Sequence, residues 1–98
     1  MAKLSVSLLG GFSVTLDGRP ITSFESNKVR ALLAYLVTEA DRAHSREKLA
    51  ALLWPDMPDQ SARSNLRYTL SNLRKAIGDA YTSQPFLCIS KQTVQINL

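Results

Sequence analysis

The sequence predicts an α+β domain made of an antiparallel meander, three helices and a closing β-hairpin. Three observations carry that reading. Two runs near the start, residues 4–8 and 12–16, alternate apolar and polar side chains around Gly10-Gly11, the period-2 signature of half-buried strands. From residue 26 to residue 77 apolar side chains recur every three or four positions, the helical period. Residues 86–90 and 93–98 then return to alternation, with Lys91-Gln92 between them. A chain of 98 residues, 45% hydrophobic and 20% charged, has the composition of one globular domain able to bury a single core.

The meander occupies residues 1–22, and its expected inner face is Leu4, Val6, Leu8, Phe12, Val14 and Leu16. Asp17-Gly18 is the favoured dipeptide of a two-residue primed turn, so Arg19-Pro20-Ile21 returns as a third strand. Pro20 cannot donate to a ladder and belongs at a sheet edge. The stripe Val29, Leu32, Leu33, Leu36 and Val37 places a helix over 26–40, with Ser26 as N-cap, to cover the meander. Asp41-Arg-Ala-His44 breaks the pattern. Ser45 is then the expected cap of a shorter helix over 46–54, with Leu49, Leu52 and Leu53 facing inward. Trp54-Pro-Asp-Met-Pro58 is a stiff, non-helical connector, because each proline disfavours the α conformation in the residue before it.

The third helix, over 59–77, is the unusual one. Ala62, Leu66, Leu70, Leu73 and Ile77 form its apolar face, with Asp59 as the expected cap and Gly78 as its left-handed stop. At about 100° per residue, Arg63, Arg67 and Arg74 form a stripe beside that face. Ser64, Tyr68, Ser71 and Lys75 lie opposite it, and no acid occurs between Asp59 and Asp79. Charge follows the same division. Up to Asp59 bases and acids balance, whereas from Gln60 onward Arg63, Arg67, Arg74, Lys75 and Lys91 stand against Asp79 alone, so the entire +4 excess lies there. Such asymmetry favours a polyanionic partner.

Other function classes find little support. Cys88, the single cysteine, excludes an internal disulfide and a cysteine-cluster metal site, and its place in an alternating strand reads as a buried structural thiol. His44, the single histidine, reads as a loop or bridging-strand residue; it has no nucleophile or acid nearby to make it a base, and no ligand spacing to make it a metal site. No nucleophilic constellation or phosphate-binding glycine loop is present, so the chain is not expected to be an enzyme or to use a cofactor. The strands lack the aromatic platform on which RNA bases stack. Tyr35 and Trp54 are expected in the core or at an internal interface. No apolar run approaches the ~20 residues of a membrane span, and the opening is too short and serine-rich for a signal peptide. A cytoplasmic, nucleoid-associated protein without membrane contact is the expectation.

A second helix crossing the first and delivering a cationic third helix is a helix-turn-helix, and a cation-tipped hairpin directly after it is a wing. The whole is therefore a winged helix-turn-helix: the N-terminal meander (1–22), a three-helix core (26–77) and the wing (86–98). The segments Leu9-Gly-Gly-Phe12, Asp17-Gly-Arg-Pro20, Lys28-Val-Arg-Ala-Leu-Leu-Ala-Tyr-Leu36, Ser45-Arg-Glu-Lys-Leu49, Leu53-Trp-Pro-Asp56 and Ala62-Arg-Ser-Asn-Leu-Arg67 add a family likeness. The chain closely resembles the DNA-binding domain of SARP/AfsR-type transcriptional activators, an OmpR/PhoB-type winged helix. The resemblance implies a four-stranded N-terminal sheet, a third helix that enters the major groove, tandem binding on direct repeats, and contact with RNA polymerase through the 54–58 connector. Family members usually carry a helical-repeat activation domain after the wing, and this chain is expected to be an isolated DNA-binding domain. It departs from the pattern in having no glycine between Asp79 and Leu98, where many such wings carry one.

If the third helix lies in the major groove, Ser64, Arg67, Tyr68 and Ser71 are the expected base readers, with Arg67 suited to guanine. Arg63, Arg74, Lys75, Lys91 and Arg46 are the expected phosphate contacts. The competing expectation is a protein-interaction module that docks an acidic partner through the same helix.

Overall fold

The computed structural model describes residues 3–22, 24, 26–79 and 85–97. Its elements run β1 (Leu4–Ser7), β2 (Ser13–Leu16), β3 (Arg19–Pro20), α1 (Asn27–Thr38), β4 (His44–Ser45), α2 (Arg46–Leu53), α3 (Asp59–Ala76), β5 (Leu87–Ile89) and β6 (Thr93–Ile96). Two antiparallel sheets result, ordered β1-β2-β3 and β4-β6-β5. The first has three strands among the described residues, one fewer than the family resemblance implies.

The first sheet forms as its alternation predicts. Leu4 pairs with Leu16 and Val6 with Val14, so one face is apolar. Asp17 (φ 52) and Gly18 (φ 82) make the turn, both in the left-handed region that a primed turn requires. Pro20 lies on the edge strand. The expected inner face is too long, however. Strand β1 ends at Ser7, and Leu8 and Leu9 are 45% and 93% exposed. The reversal through Gly10 and Gly11, both at positive φ, lifts the chain off the sheet before Leu8 can share the phase of Leu4.

Helix α1 buries Val29, Leu32, Leu33 and Leu36 and packs on α2, α3 and β6. Ser26 is its N-cap residue, but its side chain makes no capping bond. In α2 the capping works as expected, with Ser45 Oγ accepting from Lys48 N at 3.2 Å. Its buried residues are Leu49, Ala50 and Leu53. Leu52 is 53% exposed, because only an arc of so short a helix meets the core and Ala50 lies within it.

Residues 54–58 are non-helical, as two prolines require. Pro58, rather than Asp59, is the N-cap of α3. Its extended ψ of 148° lets the helix start at the next residue, so Asp59 sits in the first turn, where its charge favours the helix dipole. Ala62, Leu66, Leu70, Leu73 and Ile77 are all buried. Arg74 and Lys75 occupy the last turn, and Gly78 ends the helix at φ +68.

The second sheet is stitched across the chain. His44 pairs with Val94, and Ile89 also pairs with Val94 from the other side. Val94 and Ile96 therefore form the floor of the core, with relative exposures of 0% and 2%. His44 occupies the short bridging strand, donating from Nε2 to Glu39 O at 2.7 Å and meeting Tyr35 edge-on at 5.1 Å. Cys88 is exposed, contrary to the sequence expectation. It alternates with Leu87, which faces inward, and the pleat turns the thiol to the outer side.

Candidate nucleic-acid interface

Helix α3 presents the expected outer face. Arg63, Ser64, Arg67, Tyr68, Ser71, Arg74 and Lys75 are all exposed, and Tyr68 is 65% exposed. Every apolar residue of the helix except partly buried Ala76 points the other way into the core. The helix is 18 residues long, about 27 Å at 1.5 Å per residue, long enough to lie in a duplex groove.

Two open grooves flank α3. The first, of about 630 Å³, lies between the start of α2, the first half of α3 and the wing tip, and is lined by Ser45, Arg46, Glu47, Arg63, Leu66, Arg67, Lys91 and Gln92. The second, of about 350 Å³, runs between the second half of α3 and the wing, lined by Arg46, Arg67, Leu70, Ser71, Arg74, Lys75 and Ile89. Arg46 and Arg67 line both. All five expected phosphate contacts and two of the expected base readers, Arg67 and Ser71, therefore gather on one cationic surface. Ser64 and Tyr68 lie beside it on the exposed crest of α3.

The wing is held against this surface by Arg46. Its backbone N donates to Gln92 O at 2.8 Å and its Nη1 to Ser90 O at 3.0 Å. The wing tip turns without glycine because Ser90 takes over the cap. Its Oγ accepts from Gln92 N at 3.2 Å and from Thr93 N at 2.9 Å, so no tip residue needs positive φ. Lys91 is thereby presented at an exposed corner.

Electrostatics across elements differ from what α3 alone predicts. The helix carries no acid after Asp59, yet two of its arginines find carboxylates elsewhere. Arg63 Nη2 lies 3.6 Å from Glu47 Oε2, both well exposed. Arg74 Nε lies 3.8 Å from Asp79 Oδ2. Among the described residues, Arg67, Lys75 and Lys91 have no ion-pair partner. Asp79 is 2% exposed. Its Oδ1 accepts from Phe86 N at 2.5 Å, fastening the end of α3 to the start of the wing, while Oδ2 has no hydrogen bond. Lys28 also makes a long-range contact. Its Nζ donates to Leu53 O at 2.5 Å and sits 5.7 Å over the Trp54 ring, fixing the connector to α1. No local pattern announces either contact, since each joins residues distant in sequence or across a turn.

Among the described residues there is no group of three or more His, Cys, Asp or Glu side chains placed to hold a metal, and no helix long and apolar enough to cross a membrane.

Comparison with known proteins follows the same lines. The family described as "Transcriptional regulatory protein, C terminal" matches residues 24–92. The transcriptional regulatory protein EmbR of Mycobacterium tuberculosis is 38% identical over 78 residues, covering 80% of this chain and 20% of that protein. EmbR of Mycobacterium bovis matches equally, at 38% over the same shares. The solved structure of Mycobacterium tuberculosis EmbR in complex with a low affinity phosphopeptide aligns with a TM-score of 0.80 and 30% identity, over 100% of this chain and 26% of that chain. The chain thus spans about a fifth of the length of these curated relatives. Meander, three-helix core and glycine-free wing together form an OmpR/PhoB-type winged helix, and the chain belongs to the transcriptional regulatory family, among SARP-type regulators homologous to EmbR.

Proposed function

We propose that the domain binds double-stranded DNA sequence-specifically, with α3 in the major groove and the wing against the adjacent backbone, as the DNA-binding part of a bacterial transcriptional activator. The observation that carries this reading is the outward face of α3, a row of exposed donors whose central Arg67 meets no carboxylate among the described residues. Its planar fork suits the O6 and N7 acceptors of guanine, a contact of roughly 1–3 kcal/mol in discrimination. Ser64, Tyr68 and Ser71 read the neighbouring base edges. Arg63, Lys75 and Lys91 meet phosphates. Arg74 joins them with its terminal nitrogens while Nε faces Asp79, and Arg46 contributes the part of its guanidinium not bonded to Ser90.

Selecting bound duplexes from a random pool tests the reading. Wild type should recover a defined motif, Arg67→Ala should lose information at one base pair, and Lys91→Ala should weaken all duplexes alike. With four to six phosphate contacts, affinity should fall with salt at a log–log slope of roughly −4 to −5. Equal binding of selected and scrambled duplexes would instead favour the module that docks an acidic protein.

The 54–58 connector is proposed as the contact with RNA polymerase. Lys28 holds it in place, and Met57 on it is 45% exposed. Tandem occupancy of direct repeats, which the family resemblance implies, belongs to the same proposal.

A further inference from the structure

The groove between α2, α3 and the wing tip holds one carboxylate among its four cations. Arg46, Arg63, Arg67 and Lys91 line it, and Glu47 alone opposes them. Glu47 reaches Arg63 across the helix pair, Oε2 to Nη2 at 3.6 Å, with side-chain exposures of 70% and 61%. A pair so open to water contributes little to the fold. Its position is what matters, since it faces Arg63, which is proposed above to meet a backbone phosphate.

Resting on the DNA-binding reading above, we infer that Glu47 is an intramolecular stand-in for that phosphate and an affinity-limiting residue of the interface. In the free protein its carboxylate occupies Arg63. On binding, Arg63 must leave Glu47 for the phosphate, and the two anions then face each other across the groove. Both effects subtract from the salt-dependent, sequence-independent part of the binding energy. Glu47 therefore restrains attachment to any duplex without altering which bases α3 reads. A domain that works in tandem on repeats gains from such restraint, because weak single-domain binding leaves selectivity to simultaneous occupancy.

The test uses the 98-residue chain and two probes, a duplex carrying the selected motif and a scrambled duplex of equal composition. Glu47→Gln keeps the side chain's shape and removes its charge, and circular dichroism with thermal melting confirms the fold. The expected result is binding tighter by about three- to tenfold on both duplexes, the range for one charge removed near a phosphate at a wet interface. The log–log salt slope should stay within about 0.9 of wild type, the increment of one phosphate contact, because Arg63 meets the phosphate in both proteins. In the Arg63→Gln background the gain should be smaller, since the coupling through that arginine is gone and only the repulsion between Glu47 and the phosphate is relieved. Unchanged affinity for Glu47→Gln overturns the inference, and so does a gain that persists undiminished without Arg63. Wild-type protein that fails to distinguish the two duplexes overturns the DNA reading itself, and this inference with it.

Discussion

Replacing Asp79 separates two contributions to the join between α3 and the wing. The carboxylate is buried, with Oδ1 accepting from Phe86 N at 2.5 Å and Oδ2 facing Arg74 Nε at 3.8 Å. Asp79→Ala strands the Phe86 N–H away from water, which costs about 1–3 kcal/mol. The Arg74 pairing adds less. That guanidinium is 46% exposed, so its pairing is screened and worth at most about 1 kcal/mol. The alanine variant should thus lose about 2 kcal/mol, which lowers the melting temperature by about 8–16 °C in a domain of this size. Asp79→Asn retains an oxygen for Phe86 N–H and loses only the charge, so its loss should stay near 1 kcal/mol. Urea titration and thermal melting of the three proteins provide the comparison. Stability of the alanine variant within ~0.5 kcal/mol of wild type would refute the reasoning. Equal damage from Asn and Ala would show that the charge, rather than the hydrogen bond, fastens the wing.

Two other perturbations follow from geometry. Gly78→Ala forces a β-carbon onto a residue at φ +68 and to 3.4 Å from Leu16 Cδ2, so thermal melting should show a loss of about 1–2 kcal/mol; no change would mean that the helix stop relaxes freely. Met57→Ala, in the exposed connector, should leave duplex affinity within twofold, on the order of a few tenths of a kcal/mol, while lowering activated transcription in a reconstituted assay. Unchanged activation would remove the connector from the polymerase contact.

The elements that local sequence specifies were legible. Asp17-Gly18 dictates its turn because few dipeptides accept two positive φ angles, and the period of Ala62, Leu66, Leu70, Leu73 and Ile77 fixes which side of α3 is buried. The candidate interface was legible for the same reason, since facing positions on one helix follow from spacing alone. What escaped depends on neighbours that no local pattern names. Leu8 shares the alternation of Leu4 but lies beyond the last strand pairing at Ser7. Leu52 fits an inward stripe, yet the short α2 meets the core over an arc that takes Ala50 instead. The phase of Cys88 was set by Leu87 pairing with Ile96, and Asp79 acquired its buried role from the Phe86 amide. Glu47 and Arg63 belong to different helices, so the counter-charge in the groove emerges only when α2 and α3 cross.

Strand β6 supplies the partner for both β4 and β5, although β4 is made about fifty residues earlier. During synthesis the segment around His44 has no ladder to join until residues 93–96 leave the ribosome. Helices α2 and α3 can collapse onto each other before then, but the sheet on which α1 packs closes last. Such a late, long-distance zip slows folding. It also means that a nascent chain halted before β6 would carry α3 while the second sheet was still open.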